Sequence, residues 1–386
     1  MRGYIRRRGK QSWELTVYRG RLPSGKADRI IQNVKGTKRE ADAALADLVR
    51  KAQTGSSVDD RKLTVREFLE SWLTDVASNL APKTVERYEQ IVRLRFLPAM
   101  GHLRVSKLQP YHVQALYAQW ATEKRMDKKH GGLSARSVLH HHRVLRNAFQ
   151  QAVRLQLVPS NVFDSVKAPK CSKSAMAVLN EDEAAKLLRA AERSDEMYVP
   201  VAIALLTGLR RGEILALRWS AIDWNRKQLS VVQSLSQAKG KLHFGPPKTA
   251  SSRRTVSLSP LLLDILKRHR TRQGRDRWKF QDAYASLDLV VAQEDGNPIP
   301  PQRLSDGFRA FISHVDVTKV RFHDLRHTHA THALKAGVHP KVVSERLGHS
   351  SVAITLDLYS HVLEGLQEDG AMRVDEAIQA ALAKLA

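Results

Sequence analysis

The chain has 386 residues, 42% of them hydrophobic, so it is too long for one ordinary core and apolar enough to bury two or three. Lys and Arg number 64 against 39 Asp and Glu, a net charge of +25 that is costly to hold unless a polyanion neutralises it, which makes nucleic acid the leading partner. The only cysteine, Cys171, excludes an internal disulfide framework and a Cys-based zinc cluster, and no apolar run approaches bilayer length, so a soluble intracellular protein without a membrane partner is expected.

Residues 1–10 carry five basic side chains with no apolar stretch behind them, which is not the pattern of a signal peptide. Residues 12–18 alternate apolar and polar, residues 22–26 read as a Pro/Gly turn, and Ile30 and Ile31 follow in a second β-like stretch. Thr37 and Glu40 have capping-box spacing ahead of an Ala/Leu-rich helix over 41–52. A small three-stranded sheet plus one helix over 1–57 is the result. Its first 39 residues hold twelve Lys and Arg against Glu14 and Asp28, interleaved with Tyr4, Trp13 and Tyr18. That interleaving favours a strand face laid into a DNA groove over a solvated basic tail, with Arg6, Arg7 and Arg8 as contacts.

A polar linker over 55–62 precedes a helical segment, residues 62–168. Thr64 and Glu67 repeat the capping spacing, and Phe68, Trp72 and Leu73 form the apolar face of the helix they open. Further helices are expected over 84–97, 109–124 and 134–155. Lys83, Arg87, Arg143 and Arg146 lie on polar faces; these are either solvated or, as the chain's charge favours, in contact with DNA. His140, His141 and His142 project around a helix rather than onto one face and have no carboxylate beside them, so no metal site is expected there. A second linker spans 167–174.

The third segment, residues 176–386, is the largest. Residues 205–214 read as two helices broken at Gly208, with Arg210 and Arg211 at the turn, where a guanidinium can fork onto two phosphate oxygens. Two strands are expected over 229–235 and 254–258, with Lys248 on the last bend between them. His323, Asp324, Leu325 and Arg326 open a helix. Positions three apart share a face, so His323 and Arg326 can meet one phosphate while Leu325 turns to the core. His327, His329 and His332 invite a zinc reading, but Arg321 and Arg326 would repel a cation and no metal is expected. Gly348 and His349 form a turn into a helix capped by Ser350 or Ser351. Ten residues beyond His349 stands Tyr359, which taken alone reads as a core side chain.

The fold class expected is therefore α+β multidomain: a small three-stranded sheet plus helix, then a helical bundle, then a mainly α domain with a small antiparallel sheet. The third segment contains, in order, Thr-Gly-Leu-Arg-Arg-Gly-Glu, Pro-Pro-Lys-Thr before Ser-Arg-Arg-Thr-Val, His-Asp-Leu-Arg-His-Thr, Leu-Gly-His-Ser-Ser and then the Tyr. In these motifs the chain resembles the tyrosine recombinase (phage integrase) family. The likeness covers the whole third segment, and the two upstream segments look like the arm-binding and core-binding modules of lambda-type integrases. It implies Arg210, Lys248, His323, Arg326, His349 and Tyr359 as catalytic residues, with Arg211 among the DNA contacts. It also implies an arm-type DNA-binding domain at 1–57, a SAM-like core-binding domain at 62–168 and a catalytic domain with a C-terminal tail helix at 176–386.

The chemistry implied is site-specific recombination for a phage or mobile element, through a 3′-phosphotyrosyl intermediate and a Holliday junction. Two guanidinium groups would neutralise the phosphodiester, the histidines would add donors and help remove the Tyr proton, and Lys248 would protonate the departing 5′-oxygen. No metal, cofactor or ATP is required, and there is no G-x-x-x-x-G-K-S/T loop. The partners implied are duplex DNA at core and arm sites and a homotetramer on that DNA. A host DNA-bending protein and an excisionase are accessory partners left open. The setting implied is the cytoplasm of a bacterial host, at the nucleoid. The apolar stripe of Val374, Ile378, Leu382 and Leu385 is expected to dock on a neighbouring protomer rather than on its own domain. A type IB topoisomerase-like enzyme and a non-catalytic DNA-binding regulator are the competing readings.

Overall fold

The computed structural model describes residues 3–21, 27–53, 63–122, 131–171, 176–247, 252–359 and 366–384. The chain divides into two compact units, residues 1–173 and 174–386. The turn expected at 22–26 and the linker at 55–62 lie outside the described residues, as do residues 172–174 of the second linker.

The first unit opens with an antiparallel sheet in the order β1 (Gly3–Gly9), β2 (Ser12–Arg21), β3 (Ala27–Lys35), followed by α1 (Lys38–Gln53). Strand alternation places Leu15 and Val17 on one face, where they meet Ile30, Ala41 and Leu48 in a small core of their own. Thr37 and Glu40 cap α1 reciprocally: the Thr37 amide donates to Glu40 Oε2 (2.7 Å) and the Glu40 amide to Thr37 Oγ1 (3.4 Å).

A second apolar core follows, built from α2 (Val65–Ala77), α3 (Pro82–Ile91), α4 (Leu97–Met100), α5 (Pro110–Thr122) and α6 (Ala135–Arg154). Phe68, Phe96, Phe149 and Phe163 meet at its centre, with Phe68 and Phe149 edge-to-face at 5.5 Å. The helix expected over 84–97 starts earlier, at Pro82, whose fixed φ suits a first helical position. It then widens into a π-turn at Val92–Phe96. Pro98 explains the widening, since its ring and missing N–H are incompatible with a regular i→i−4 ladder. On α6, His140 is exposed while His141 and His142 turn inwards. His142 shares a 2.9 Å hydrogen bond with the Tyr117 hydroxyl and His141 lies edge-on to Trp120. Among the described residues no group of three or more His, Cys, Asp or Glu is placed to hold a metal ion.

The second unit is mainly helical. α7 (Glu181–Ala191), α8 (Tyr198–Thr207) and α9 (Arg211–Leu215) lead into β4 (Ile222–Asp223), β5 (Gln228–Val231), β6 (Ser234–Ala238), β7 (Lys241–Gly245) and β8 (Arg254–Ser257). Then come α10 (Pro260–Phe280), α11 (Pro301–Ser313), α12 (Asp324–Lys335), α13 (Pro340–Leu347), α14 (Val352–Tyr359) and α15 (Leu366–Leu382). The single strand expected over 229–235 is two. β5 pairs with β4 and β8 in one sheet, whereas β6 pairs with β7 in another. The break falls at Val232 and Gln233. Val232 is exposed, and the Gln233 side chain leaves the ladder to donate to the Ala216 carbonyl at 2.9 Å.

α8 is buried over nearly its whole length, with Val199, Val201, Ala202, Ile203 and Ala204 all at 2% exposure or less. α12 packs on it through Leu325, which is fully buried. Two helices held this tightly make a rigid floor for the side chains at their ends. Among the described residues no helix is long and apolar enough to cross a membrane.

Candidate active site

α8 ends at Gly208, whose φ of 69° is left-handed. A Cβ there would come within 2.6 Å of Leu347 and 2.7 Å of His329, so both space and backbone demand glycine. The turn delivers Arg210 to the start of α9, where Glu213, three residues on, accepts from the Arg210 amide (2.9 Å) and from its Nη1 (2.8 Å). Glu213 is buried and also takes Nη2 of Arg254 at 2.8 Å. The Arg254 Nε donates to the Arg346 carbonyl at 2.6 Å, which ties β8 to the end of α13.

Arg326 projects from the first turn of α12 and is 4% exposed. Its two terminal nitrogens donate to the carbonyls of Gly208 and Leu347, each at 2.8 Å. Arg210 Nη2 makes the matching bond to the Gly348 carbonyl at 2.9 Å. The two guanidiniums are thus held from two sides, by the α8–α9 turn and by the α13–α14 turn. Burial, and then Arg210, push Arg326 down to about 9, so it stays charged at neutral pH. It is a buried cation held by backbone carbonyls, which is the state an anion would relieve.

His349 sits one residue past Gly348, which is again left-handed at φ 67°. Its Nδ1 is hydrogen-bonded to Thr355 Oγ1 on α14 at 2.8 Å, which fixes the ring and leaves Nε2 for another partner. Burial first, then Arg326 and Arg210, hold its pKa down at about 4. Crowding by protein atoms, then His327 and Arg326, do the same for His323, although the residue itself is exposed. Both histidines are neutral at pH 7. Of the helix-capping choices, Ser351 caps α14, its hydroxyl accepting from the Ala353 amide at 3.0 Å.

Tyr359 closes α14 and is 1% exposed, packed with Leu334, Val343 and Leu347. Its hydroxyl lies 2.7 Å from His327 Nδ1. Burial raises the phenol to about 12, while Arg326 pulls the other way. The site therefore joins a buried phenol, two fixed guanidiniums and neutral imidazoles, a set able to neutralise an anionic ester and attack it.

The structure brings Arg210, His323, Arg326, His349 and Tyr359 onto the elements around this site. Lys248 lies outside the described residues. Arg211 turns elsewhere, half-buried with its guanidinium on Ser305. Glu213, Arg254, His327 and Thr355 were given no role by sequence reasoning. Glu213 had a legible signal, a carboxylate three residues after Arg210 at a helix start. Arg254 and His327 stand inside the quoted motifs, but their partners Glu213 and Tyr359 lie 41 and 32 residues away, and Thr355 meets His349 only because the turn at Gly348 folds the chain back. In the first unit Arg8 pairs with Glu14 at 2.8 Å, Lys83 with Glu86 at 2.8 Å and Arg146 with Asp164 at 2.6 Å. Arg6, Arg87 and Arg143 are exposed, and Arg7 lies over the Trp13 ring at 5.8 Å.

Comparison with known proteins bears on this arrangement. Residues 177–365 match the phage integrase family, and residues 64–121 match the phage integrase N-terminal SAM-like domain. A tyrosine recombinase XerC-like protein of Caldanaerobacter subterraneus subsp. tengcongensis is 28% identical over 375 residues, covering 92% of this chain and 93% of that protein. Among solved structures, the Tn1549 transposon integrase in complex with a circular intermediate DNA superposes with a TM-score of 0.65 at 18% identity. It covers 81% of this chain and 100% of its own. A lambda integrase tetramer bound to a Holliday junction gives 0.56 at 18% identity over 90% of this chain and 95% of its own. At that identity the two structures establish the fold.

Proposed function

Because the chain belongs to the phage integrase family of tyrosine recombinases, we propose that it is a site-specific DNA recombinase of a phage or other mobile element. The observation that carries the reading is the pair of fixed guanidiniums, Arg210 and Arg326, beside the buried phenol of Tyr359. Arg210 and Arg326 would bind the two non-bridging oxygens of a scissile phosphate in place of solvent. His349 Nε2 and the exposed His323 would add hydrogen bonds to the same group. Tyr359 Oη attacks phosphorus and displaces the 5′-oxygen, to which Lys248 delivers a proton. The 3′-phosphotyrosyl bond conserves the energy of the bond broken, so rejoining needs no nucleotide.

In this reading residues 1–57 bind arm DNA, residues 62–168 bind core DNA and residues 176–386 carry out the chemistry. A homotetramer is the working assembly. The exposed stripe of Val374, Ile378 and Leu382 on α15 supports docking of that helix on a neighbouring protomer; Leu385 lies outside the described residues. A host DNA-bending protein and an excisionase would serve the arm-binding module if it bridges distant DNA.

The test is a covalent complex. Nicked duplexes selected from a randomised pool by binding to the full chain should give a protein–DNA adduct that Tyr359→Phe abolishes. No adduct on any selected duplex would support a DNA-binding regulator, and equal adduct on arbitrary duplex a relaxing enzyme.

A further inference from the structure

His327 is the group that touches the Tyr359 hydroxyl. Its Nδ1 lies 2.7 Å from Oη, and its ring stands edge-on to His323 with centroids 5.5 Å apart. It directly follows Arg326 on α12, so the helical turn that aims Arg326 at the Gly208 and Leu347 carbonyls also fixes this imidazole. His349, another candidate for removing the phenolic proton, has its Nδ1 engaged by Thr355.

We propose, on the basis of the recombinase reading above, that His327 is a further catalytic residue which accepts the Tyr359 proton at Nδ1 during attack and returns it during rejoining. The step balances without a co-reactant. The Oη–phosphorus bond forms and the phosphorus–O5′ bond breaks. The Oη proton passes to His327 Nδ1, and the 5′-oxygen takes its proton from Lys248. Rejoining runs each transfer in reverse. The neutral ring must then carry its hydrogen on Nε2.

The groups facing His327 are Asp324, Arg321, Arg326 and His323 from its own segment, Tyr359 from α14 and His349 from the turn before it. Burial lowers its pKa; Asp324 opposes this, and Arg326 and Arg321 add to it. The ring is therefore unprotonated at neutral pH and free to accept. A purely structural role, holding a buried phenol in place, would need the hydrogen bond but no basicity. Asparagine separates the two, because its side-chain oxygen replaces Nδ1 as an acceptor and does not take up a proton.

The experiment uses the full chain and a selected nicked duplex with sulfur in place of the scissile 5′-oxygen. A thiolate leaves without a proton, so the rate isolates activation of the nucleophile. Adduct formation by His327→Asn should be about 10²–10³-fold slower at neutral pH. Above the ordinary histidine range the wild-type rate should be flat with pH, whereas the variant should climb about tenfold per pH unit towards the titration of the phenol. A variant with wild-type rate and a flat profile would overturn the proposal. No adduct from the wild-type chain would instead overturn the recombinase reading on which it rests. A second measurement needs no variant at position 327. With ¹³C-labelled tyrosine, the resonance absent from Tyr359→Phe should shift in one step as His327 takes up a proton below the usual histidine range. A Tyr359 resonance that ignores that titration would also overturn the proposal.

Discussion

Positive charge is handled in opposite ways on the surface of the first unit and at the site of the second. In the first, Arg8, Lys83 and Arg146 are exposed, and each has a carboxylate within 2.8 Å. Such pairs exchange readily with water and salt and contribute little to stability. In the second, Arg326 and Arg254 are nearly sealed from solvent, and Arg210 and Arg326 are held by the carbonyls of Gly208, Leu347 and Gly348. Burying cations against partial charges is costly, and the cost is borne by a rigid floor of α8 and α12. A surface cation finds its phosphate after contact, whereas a sited one is already oriented. The first arrangement suits affinity along a backbone, and the second suits stabilising charge that develops at one atom.

The largest expected effect tests orientation against charge alone. Arg326→Lys keeps the charge but loses the fork that spans Gly208 and Leu347. Adduct formation on a selected duplex should fall by about 10²–10³-fold, with binding of the same duplex changed by less than tenfold, as read by gel shift. An equal loss in both assays would mean that Arg326 serves affinity as a surface residue does, and the contrast between the units would collapse.

Next comes Glu213→Gln, which removes the carboxylate shared by Arg210 and Arg254. Leaving two guanidiniums without their counter-ion should destabilise the second unit by about 3–5 kcal/mol, read as a lower denaturation midpoint. Removing Glu14, the half-buried partner of the exposed Arg8, should cost less, about 1 kcal/mol. Similar losses at both positions would show that burial does not distinguish the networks.

How much of this was legible in the chain depends on where each partner lies in sequence. The capping pairs Thr37–Glu40 and Thr64–Glu67 could be read directly, because both members fall within one helical turn. Arg210, Arg326 and Tyr359 stand in motifs whose order and spacing carry the family likeness. The contact between His327 and Tyr359 could not be read. It joins residues 32 apart on two helices, and its geometry depends on how α14 folds back after Gly348. The split of the strand expected over 229–235 was hidden for the same reason, since the Gln233 side chain finds its acceptor 17 residues upstream. Periodicity reports which face of an element is buried, not which element covers it.

Acid should weaken both units, but through different groups. His141 in the first unit and His329 and His349 in the second are each held to about 4, burial being the main cause, with Arg87 and His140 adding to it at His141 and Arg346 at His329. Their folded pKa lies below the unfolded value of about 6.5. The unfolded chain therefore binds more protons between those limits, and stability is full above about pH 6.5 and falls as pH drops towards 4. Each kcal/mol lost should lower the melting temperature by about 2–4 °C. Among the described residues the buried His141 Nδ1 has no hydrogen-bond partner, so His141→Leu should flatten the acid dependence of the first unit with little loss at neutral pH. An unchanged slope would place the acid-sensitive groups elsewhere.

The smallest effects belong to the exposed cations, and they are best seen in salt rather than in a single affinity. Arg87 on α3 and Arg143 on α6 are exposed, and neither is among the arginines of the first unit seen paired with a carboxylate. If each meets a phosphate, Arg87→Gln and Arg143→Gln should each weaken duplex binding severalfold and reduce the slope of log K against log salt by about 1. Arg146, which must first leave Asp164, should change the slope by less than either. Adduct yield at saturating DNA should be unchanged in all three, because none of them belongs to the unit that carries the site. A variant that kept the slope but lost adduct yield would mean that a first-unit cation acts on the chemistry, and the division of labour between the units would need redrawing.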